Sequence, residues 1–127
     1  MLKVIPLQEK TKQKEYCDEL LIKYDPDEMC YAAFDGEDFR GIALFKIKGD
    51  RCVITRIKLP SGVDDHLAEY LLGKAPLNFA DLCGIKKAAY LDENKSLARE
   101  LEFVEADGEY ILNLEGYFES PCHRHKA

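Results

Sequence analysis

The stretch that most restricts the fold runs from Met29 to Asp92. Three apolar runs, MCYAAF, RGIALFKIK and RCVITRIKL, are separated by Asp35-Gly36 and Gly49-Asp50. Glycine accepts the positive φ of a tight turn, so these runs predict an antiparallel meander. The period then changes. From Asp64 to Cys83, the residues Leu67, Leu71, Ala75, Phe79 and Leu82 recur at steps of three or four, which predicts a helix of about five turns. Gly84 stands where such a helix ends, and KKAAYLD reads as the next strand. A strand, a helix and a strand in one sheet need a parallel pair and a right-handed crossover. Pro76 sits inside the helical stretch, where a proline costs roughly 3 kcal/mol, so a kink or break is expected around Gly73 to Pro76.

The flanks complete the pattern. LKVIPL reads as a first strand, and Gln8 to Tyr24 as a helix, with Tyr16, Leu20, Leu21 and Tyr24 on its apolar side. DPDE, Asp25 to Glu28, stops that helix because Pro26 disfavours it. With no twelve-residue calcium loop around it, DPDE reads as a solvated turn. NKSLAREL predicts a short helix capped by Asp92 or Asn94. FVEADGEYILNL gives two strand pieces around Asp107-Gly108, and EGYFESPCHRHKA reads as a tail. The expected class is α+β. It is a mixed α/β sheet of six to seven mostly antiparallel strands, with a parallel pair at the fourth and fifth and helices on both faces. A single domain is expected over 1–118, with a tail at 119–127.

Charge narrows the partners. The chain has 127 residues with 18 Lys and Arg against 24 Asp and Glu, a net charge of −6. Phosphate-backbone and anionic-membrane binding need clustered cations, so neither nucleic acid nor a membrane is expected. No apolar run approaches the roughly 18 residues that span a bilayer, and MLKVIPLQEK is charged too early for a signal peptide. Five cysteines without a C-x-x-C pair predict reduced thiols and a cytoplasmic location. Cys52 and Cys83 have no histidine nearby in sequence and read as packing residues. Cys122 to His125 offers three soft ligands in a tail, one short of a closed zinc site, so no metal is expected.

The order of elements, with MCYAAFDGEDFRG, LNFADLCGIKK and SLARELEF, resembles the GNAT superfamily of acyl-CoA-dependent N-acyltransferases over roughly residues 1 to 115. Gly41 falls on the glycine usual after the second strand. The resemblance implies that CVITRIKL and KKAAYL splay apart to form a notch for the pantetheine arm. Acetyl-CoA or another acyl-CoA would be the cofactor, and a small-molecule amine or peptide N-terminus the acceptor. A homodimer would not be unusual. Ile57 and Leu59 would offer backbone groups to the pantetheine. Ser61, Gly62, Val63, Asp64 and Asp65 would form the pyrophosphate loop, and Asn94 would contact the CoA arm, unless it is simply a helix cap.

The same resemblance exposes departures. The loop pattern [RQ]-x-x-G-x-[GA] falls on Asp64, Leu67 and Glu69, so the cation has become an acid and both small residues have become large. Shifted by one, it falls on Val63, His66 and Ala68 and recovers only the last small residue. Carboxylates at a helix N-terminus favour its dipole, but they repel a phosphate at about 4 Å by roughly 1 kcal/mol in water and about 4 at an effective dielectric of 20. The family's tyrosine acid falls on Ala98 and the following glycine on Glu102. Tyr90 and Tyr110 are the remaining candidates for a proton donor, against their reading as core aromatics. Arg56 and Lys58 could bind an acidic group in the notch or pair with neighbouring acids. Two functions follow: an acyltransferase, or a scaffold of the same fold that has lost its cofactor and binds other ligands or proteins.

Overall fold

The computed structural model describes residues 1–119. Its elements are β1 (Leu2–Pro6), α1 (Lys10–Glu19), β2 (Met29–Asp35), β3 (Asp38–Lys48), β4 (Arg51–Lys58), α2 (His66–Leu82), β5 (Lys87–Tyr90), α3 (Lys95–Glu100), β6 (Val104–Ala106) and β7 (Glu109–Asn113). The sheet has seven strands in the order β1-β2-β3-β4-β5-β7-β6. The meander pairs antiparallel, and β4 pairs parallel with β5. The expected class and the parallel pair are both present.

Alternation on β3 divides the core. Ala43 and Phe45 join Cys52, Ile54, Leu72, Leu77 and Tyr90 on the α2 face. Ile42 and Leu44 join Cys17, Leu20 and Ile22 on the α1 face. One strand therefore feeds two cores, and helices cover both sides.

Three expectations about local structure need correction. First, α1 ends at Glu19 rather than Tyr24. Leu21 adopts φ 61, its N–H reaches the Asp18 carbonyl at 3.2 Å, and the Ile22 N–H reaches the Cys17 carbonyl at 3.0 Å. This is a Schellman closure with leucine in the left-handed position. It buries Ile22 and leaves Leu21 91% exposed. Second, α2 begins at His66 rather than Asp64 and runs unbroken through Pro76. Leu72 and Leu77 are fully buried on the same helix. At roughly 1.5–3 kcal/mol each, their burial offsets what the proline costs. Gly73 serves the packing, because a Cβ there would lie 2.5 Å from Leu101 Cδ1. Third, DPDE is only partly a solvated turn. The Asp27 N–H donates to Asp25 Oδ1 at 2.9 Å, but Glu28 is buried.

The C-terminal stretch docks earlier than expected. Leu114 and Tyr117 are buried, and the Tyr117 hydroxyl donates to the Leu101 carbonyl at 2.9 Å. The expected tail lies outside the described residues apart from Glu119, and so does the Cys122 to His125 group. Among the described residues no helix is long and apolar enough to cross a membrane.

Candidate functional site at the β4–β5 opening

The parallel ladder between β4 and β5 is short. It runs from Arg51↔Lys87 to Ile54↔Tyr90 and closes with the Leu91 N–H on the Ile54 carbonyl at 2.8 Å. β4 continues to Lys58, paired only with β3. The β3 register skips Thr55, which passes from Phe45↔Ile54 to Leu44↔Arg56, so Thr55 is a bulge residue where the strands part. Gly41 lets β3 approach the end of β4, since a Cβ there would lie 2.7 Å from the Lys58 carbonyl and φ is +141.

An opened strand edge leaves backbone donors to be satisfied. At Ile57 the partner is Asp92, whose Oδ1 accepts the Ile57 N–H at 3.2 Å. Its Oδ2 accepts the Asn94 N–H at 3.0 Å, and the Arg56 Nε lies 3.8 Å from Oδ1. Asp92 is 4% exposed, so a buried carboxylate fills part of the opening. Leu59, the second expected pantetheine position, is half-buried and packs against the α2 core.

The loop into α2 is a turn followed by an acidic cap. The Val63 N–H bonds the Pro60 carbonyl at 3.0 Å, with Gly62 at φ 83, which accounts for this glycine. Ser61, Gly62 and Asp64 are exposed. Asp65 is the N-cap, and its Oδ1 accepts the Ala68 N–H at 3.0 Å. Of the positions matched to the loop motif, Leu67 is 58% exposed, and Glu69 faces His66 at 3.7 Å. His66 also meets Glu100 at 2.8 Å. That hydrogen bond and charge raise its pKa above the ordinary value.

Tyr90 and Tyr110 lie opposite each other in the β5–β7 ladder, and Lys95 Nζ sits 5.8 Å and 5.2 Å from their ring centres. The Tyr90 hydroxyl donates to the Asn94 carbonyl at 2.8 Å, and burial foremost, then the Asp92 charge, pushes its pKa up. The Tyr110 hydroxyl accepts from Arg99 at 3.2 Å. The Asn94 side chain accepts the Leu97 N–H at 3.2 Å and caps α3. Ile57, Asn94 and Tyr90 thus gather around Asp92, whereas Ser61 to Asp65 stand at the start of α2.

The sequence reading missed Asp92 as a site residue and missed Arg40 altogether. Arg40 Nε is buried without a hydrogen-bond partner among the described residues, 3.8 Å from Asp65 Oδ2. An orphaned buried donor beside the loop fits an anion such as a phosphate. The free edge of β4 likewise fits an extended, amide-bearing arm. Asp65 and Asp92 hold two donors that such a ligand would use, so they have to yield on binding.

No family model and no curated protein matches the chain. Solved structures do. A ribosomal-protein-S18-alanine N-acetyltransferase from Escherichia coli superposes with a TM-score of 0.68 at 12% identity, covering 88% of this chain and 90% of that one. An N-acetyltransferase from Staphylococcus aureus gives 0.68 at 13% identity, covering 90% and 99%. An acetyltransferase from Bacillus subtilis, solved with CoA, gives 0.63 at 14% identity, covering 90% and 99%. With its meander, parallel β4–β5 pair and crossover helix, the chain has the fold of the GNAT N-acetyltransferases.

Proposed function

We propose that the protein is an acyl-CoA-dependent N-acyltransferase that moves an acetyl or other acyl group to a small amine or a peptide N-terminus. The observation that carries this reading is the opening beyond Ile54↔Tyr90, where β4 runs on without its parallel neighbour. An acyl-CoA arm laid there would meet the Ile57 backbone, and its phosphates would lie toward Arg40 and the 61–65 loop. Support comes from similar folds solved with CoA, among them the Bacillus subtilis acetyltransferase and a Thermoplasma acidophilum N-acetyltransferase. Acyl transfer to a neutral, well-placed amine draws mostly on positioning, which is compatible with Ala98 in place of a tyrosine acid.

A second reading is favoured by the two carboxylates. In it the protein keeps the scaffold, has given up CoA, and binds another ligand or a protein. Asp65 on the Ala68 N–H and Asp92 on the Ile57 N–H are what favour it. Isothermal titration of the reduced protein with acetyl-CoA and free CoA at low salt separates the two. Micromolar binding supports the transferase. No heat at millimolar CoA overturns it and leaves the scaffold.

A further inference from the structure

At the end of the sheet where β1 stops and β2 begins lies a cavity of about 290 Å³. Its wall is mainly apolar. Leu7 and Met29 line it, together with the rings of Tyr31, Phe45 and Phe79. Tyr31 stacks on Phe45 with 5.7 Å between ring centres, and Phe79 meets Phe45 edge-on at 5.8 Å. None of the lining residues belongs to β4, β5 or the 61–65 loop, so the cavity is separate from the opening described above. In water-sized volumes of about 30 Å³ it has room for about ten heavy atoms.

The polar groups of the wall are gathered at the start of α1. Lys10 Nζ donates to the Glu28 carbonyl at 2.8 Å and to Gln13 Oε1 at 3.2 Å. Gln13 is 2% exposed, and its Nε2 donates to the Leu7 carbonyl at 2.6 Å. Lysine only donates, so Gln13 must turn its oxygen to Lys10 and its nitrogen to Leu7. An ammonium has three N–H groups and a side-chain amide two, so each keeps one donor without an acceptor among the described residues.

The charge on this wall has one sign. Burial foremost pushes the Cys30 thiol up to about 12 and raises the Tyr31 hydroxyl as well, so both are neutral and Lys10 is the one ionised group lining the cavity. Lys12 and Lys14 on the same helix pair with Glu15 and Asp18, but Lys10 forms no ion pair among the described residues. The neighbouring acids do not change this. Glu28 turns its carboxylate to the Thr55 hydroxyl, Glu9 is exposed, and neither lines the cavity.

A cation and two spare donors at one end of an apolar, ring-lined cavity match an anion with two acceptor oxygens and a flat apolar body. We infer that this cavity binds a small aromatic carboxylate, its oxygens on Lys10 and Gln13 and its ring against Tyr31, Phe45 and Phe79. Lys10 is exposed, which leaves the carboxylate end open to solvent and provides the way in. Neither CoA nor an acceptor amine takes part, so the site stands or falls apart from the proposed transferase.

The test is an amide NMR titration of the reduced protein, without CoA and at constant ionic strength, with phenylacetate and its neutral isostere phenylacetamide. Saturable millimolar shifts centred on Lys10, Gln13, Met29 and Tyr31 with phenylacetate, and binding of phenylacetamide at least about tenfold weaker, are the expected result. Lys10→Met keeps the stem and removes the charge. It should weaken phenylacetate at least about tenfold and leave phenylacetamide as it was. Comparable affinity for the two probes, no saturable shift with phenylacetate, or an undiminished response in Lys10→Met overturns the inference. So do phenylacetate shifts centred on Arg40 and Asp65, which would place the anion at the loop before α2 instead. If the variant does not fold, the comparison of probes and the position of the shifts on the unaltered protein still decide.

Discussion

Replacing Asp92 by alanine tests whether the carboxylate in the β4–β5 opening is holding the place of a ligand. The substitution removes the acceptor of the Ile57 N–H at 3.2 Å and of the Asn94 N–H at 3.0 Å. Ile57 is 8% exposed, so its N–H is left without a partner, at about 1–3 kcal/mol. Asn94 is half-buried and can turn to water, and Arg56 is exposed enough that its loss is small. Relief of the buried carboxylate's own desolvation offsets part of this, so the net loss is about 2 kcal/mol. For 127 residues that is a fall in Tm of about 8 °C. A pantetheine carbonyl on the Ile57 N–H would restore the lost bond and would no longer compete with Asp92. Asp92→Ala should therefore bind CoA about 5–30-fold more tightly than the unaltered chain, about 1–2 kcal/mol. Asp92→Asn, which keeps an acceptor oxygen, should fall between them in both respects. Thermal unfolding and isothermal titration of the three proteins provide the readout. Lost stability with no gain in CoA affinity would refute the idea that a ligand takes the Ile57 donor, and an unchanged Tm would refute the value given to the hydrogen bonds.

Two further outcomes follow from local geometry. Leu21→Gly should raise stability by about 0.5–1 kcal/mol, because relief of the left-handed strain exceeds glycine's extra freedom in the unfolded chain. Leu21 is 91% exposed, so little packing is lost, and Leu21→Ala in the same chemical denaturation series should bring no gain. His66 should titrate above 6.5 by NMR because of its hydrogen bond to Glu100, and Glu100→Gln should lower it. Since the folded value is the raised one, the tie contributes fully below the ordinary histidine pKa and is lost as pH rises through the folded value. The difference in Tm between the unaltered chain and Glu100→Gln should shrink over that window.

The turns and the long helix were legible because their causes are local. Asp35-Gly36 and Gly49-Asp50 place glycine at φ 63 and 62, and the apolar spacing of α2 survives Pro76. The end of α1 was not legible. Leu21 reads as one more helical leucine, yet it occupies the position that glycine usually takes, as Glu102 does at φ 76 after α3. The resemblance places a glycine at Glu102, and the backbone there has the left-handed conformation that glycine favours. The polar site residues were hidden for another reason. Asp92, Arg40 and Glu28 belong to no motif, and their surroundings depend on the one-residue bulges at Arg40 and Thr55 and on which strand ends where. Glu28 stands in a run that looks solvated, and only the docking of residues 22–28 against β3 and β4 buries it.

These placements set stability of the empty fold against affinity for a ligand. A sheet that parts between β4 and β5 exposes backbone donors whether or not anything binds, and those donors must be satisfied in the free protein. Water would do so and leave easily. A carboxylate fixed by Asn94 and Arg56 holds the same donor more strongly, which strengthens the free fold and weakens any ligand that needs Ile57 by a similar amount. Asp65 does the same for the first turn of α2. A chain under selection for CoA affinity would be expected to shed such acids, and one selected only to stay folded would be expected to keep them. Arg40 points the other way: its buried Nε makes no hydrogen bond among the described residues, and its contacts with Asp35 and Asp65 are long, at 3.8 Å each, so a closer anion would gain more from it than the free fold does. Arg40→Met therefore separates the two histories. It should cost the free protein no more than about 1 kcal/mol, the worth of two long, part-exposed ion pairs with Asp35 and Asp65, and it should weaken CoA at least tenfold if phosphates lie against the 61–65 loop. If CoA affinity is indifferent to Arg40, the phosphates do not lie there.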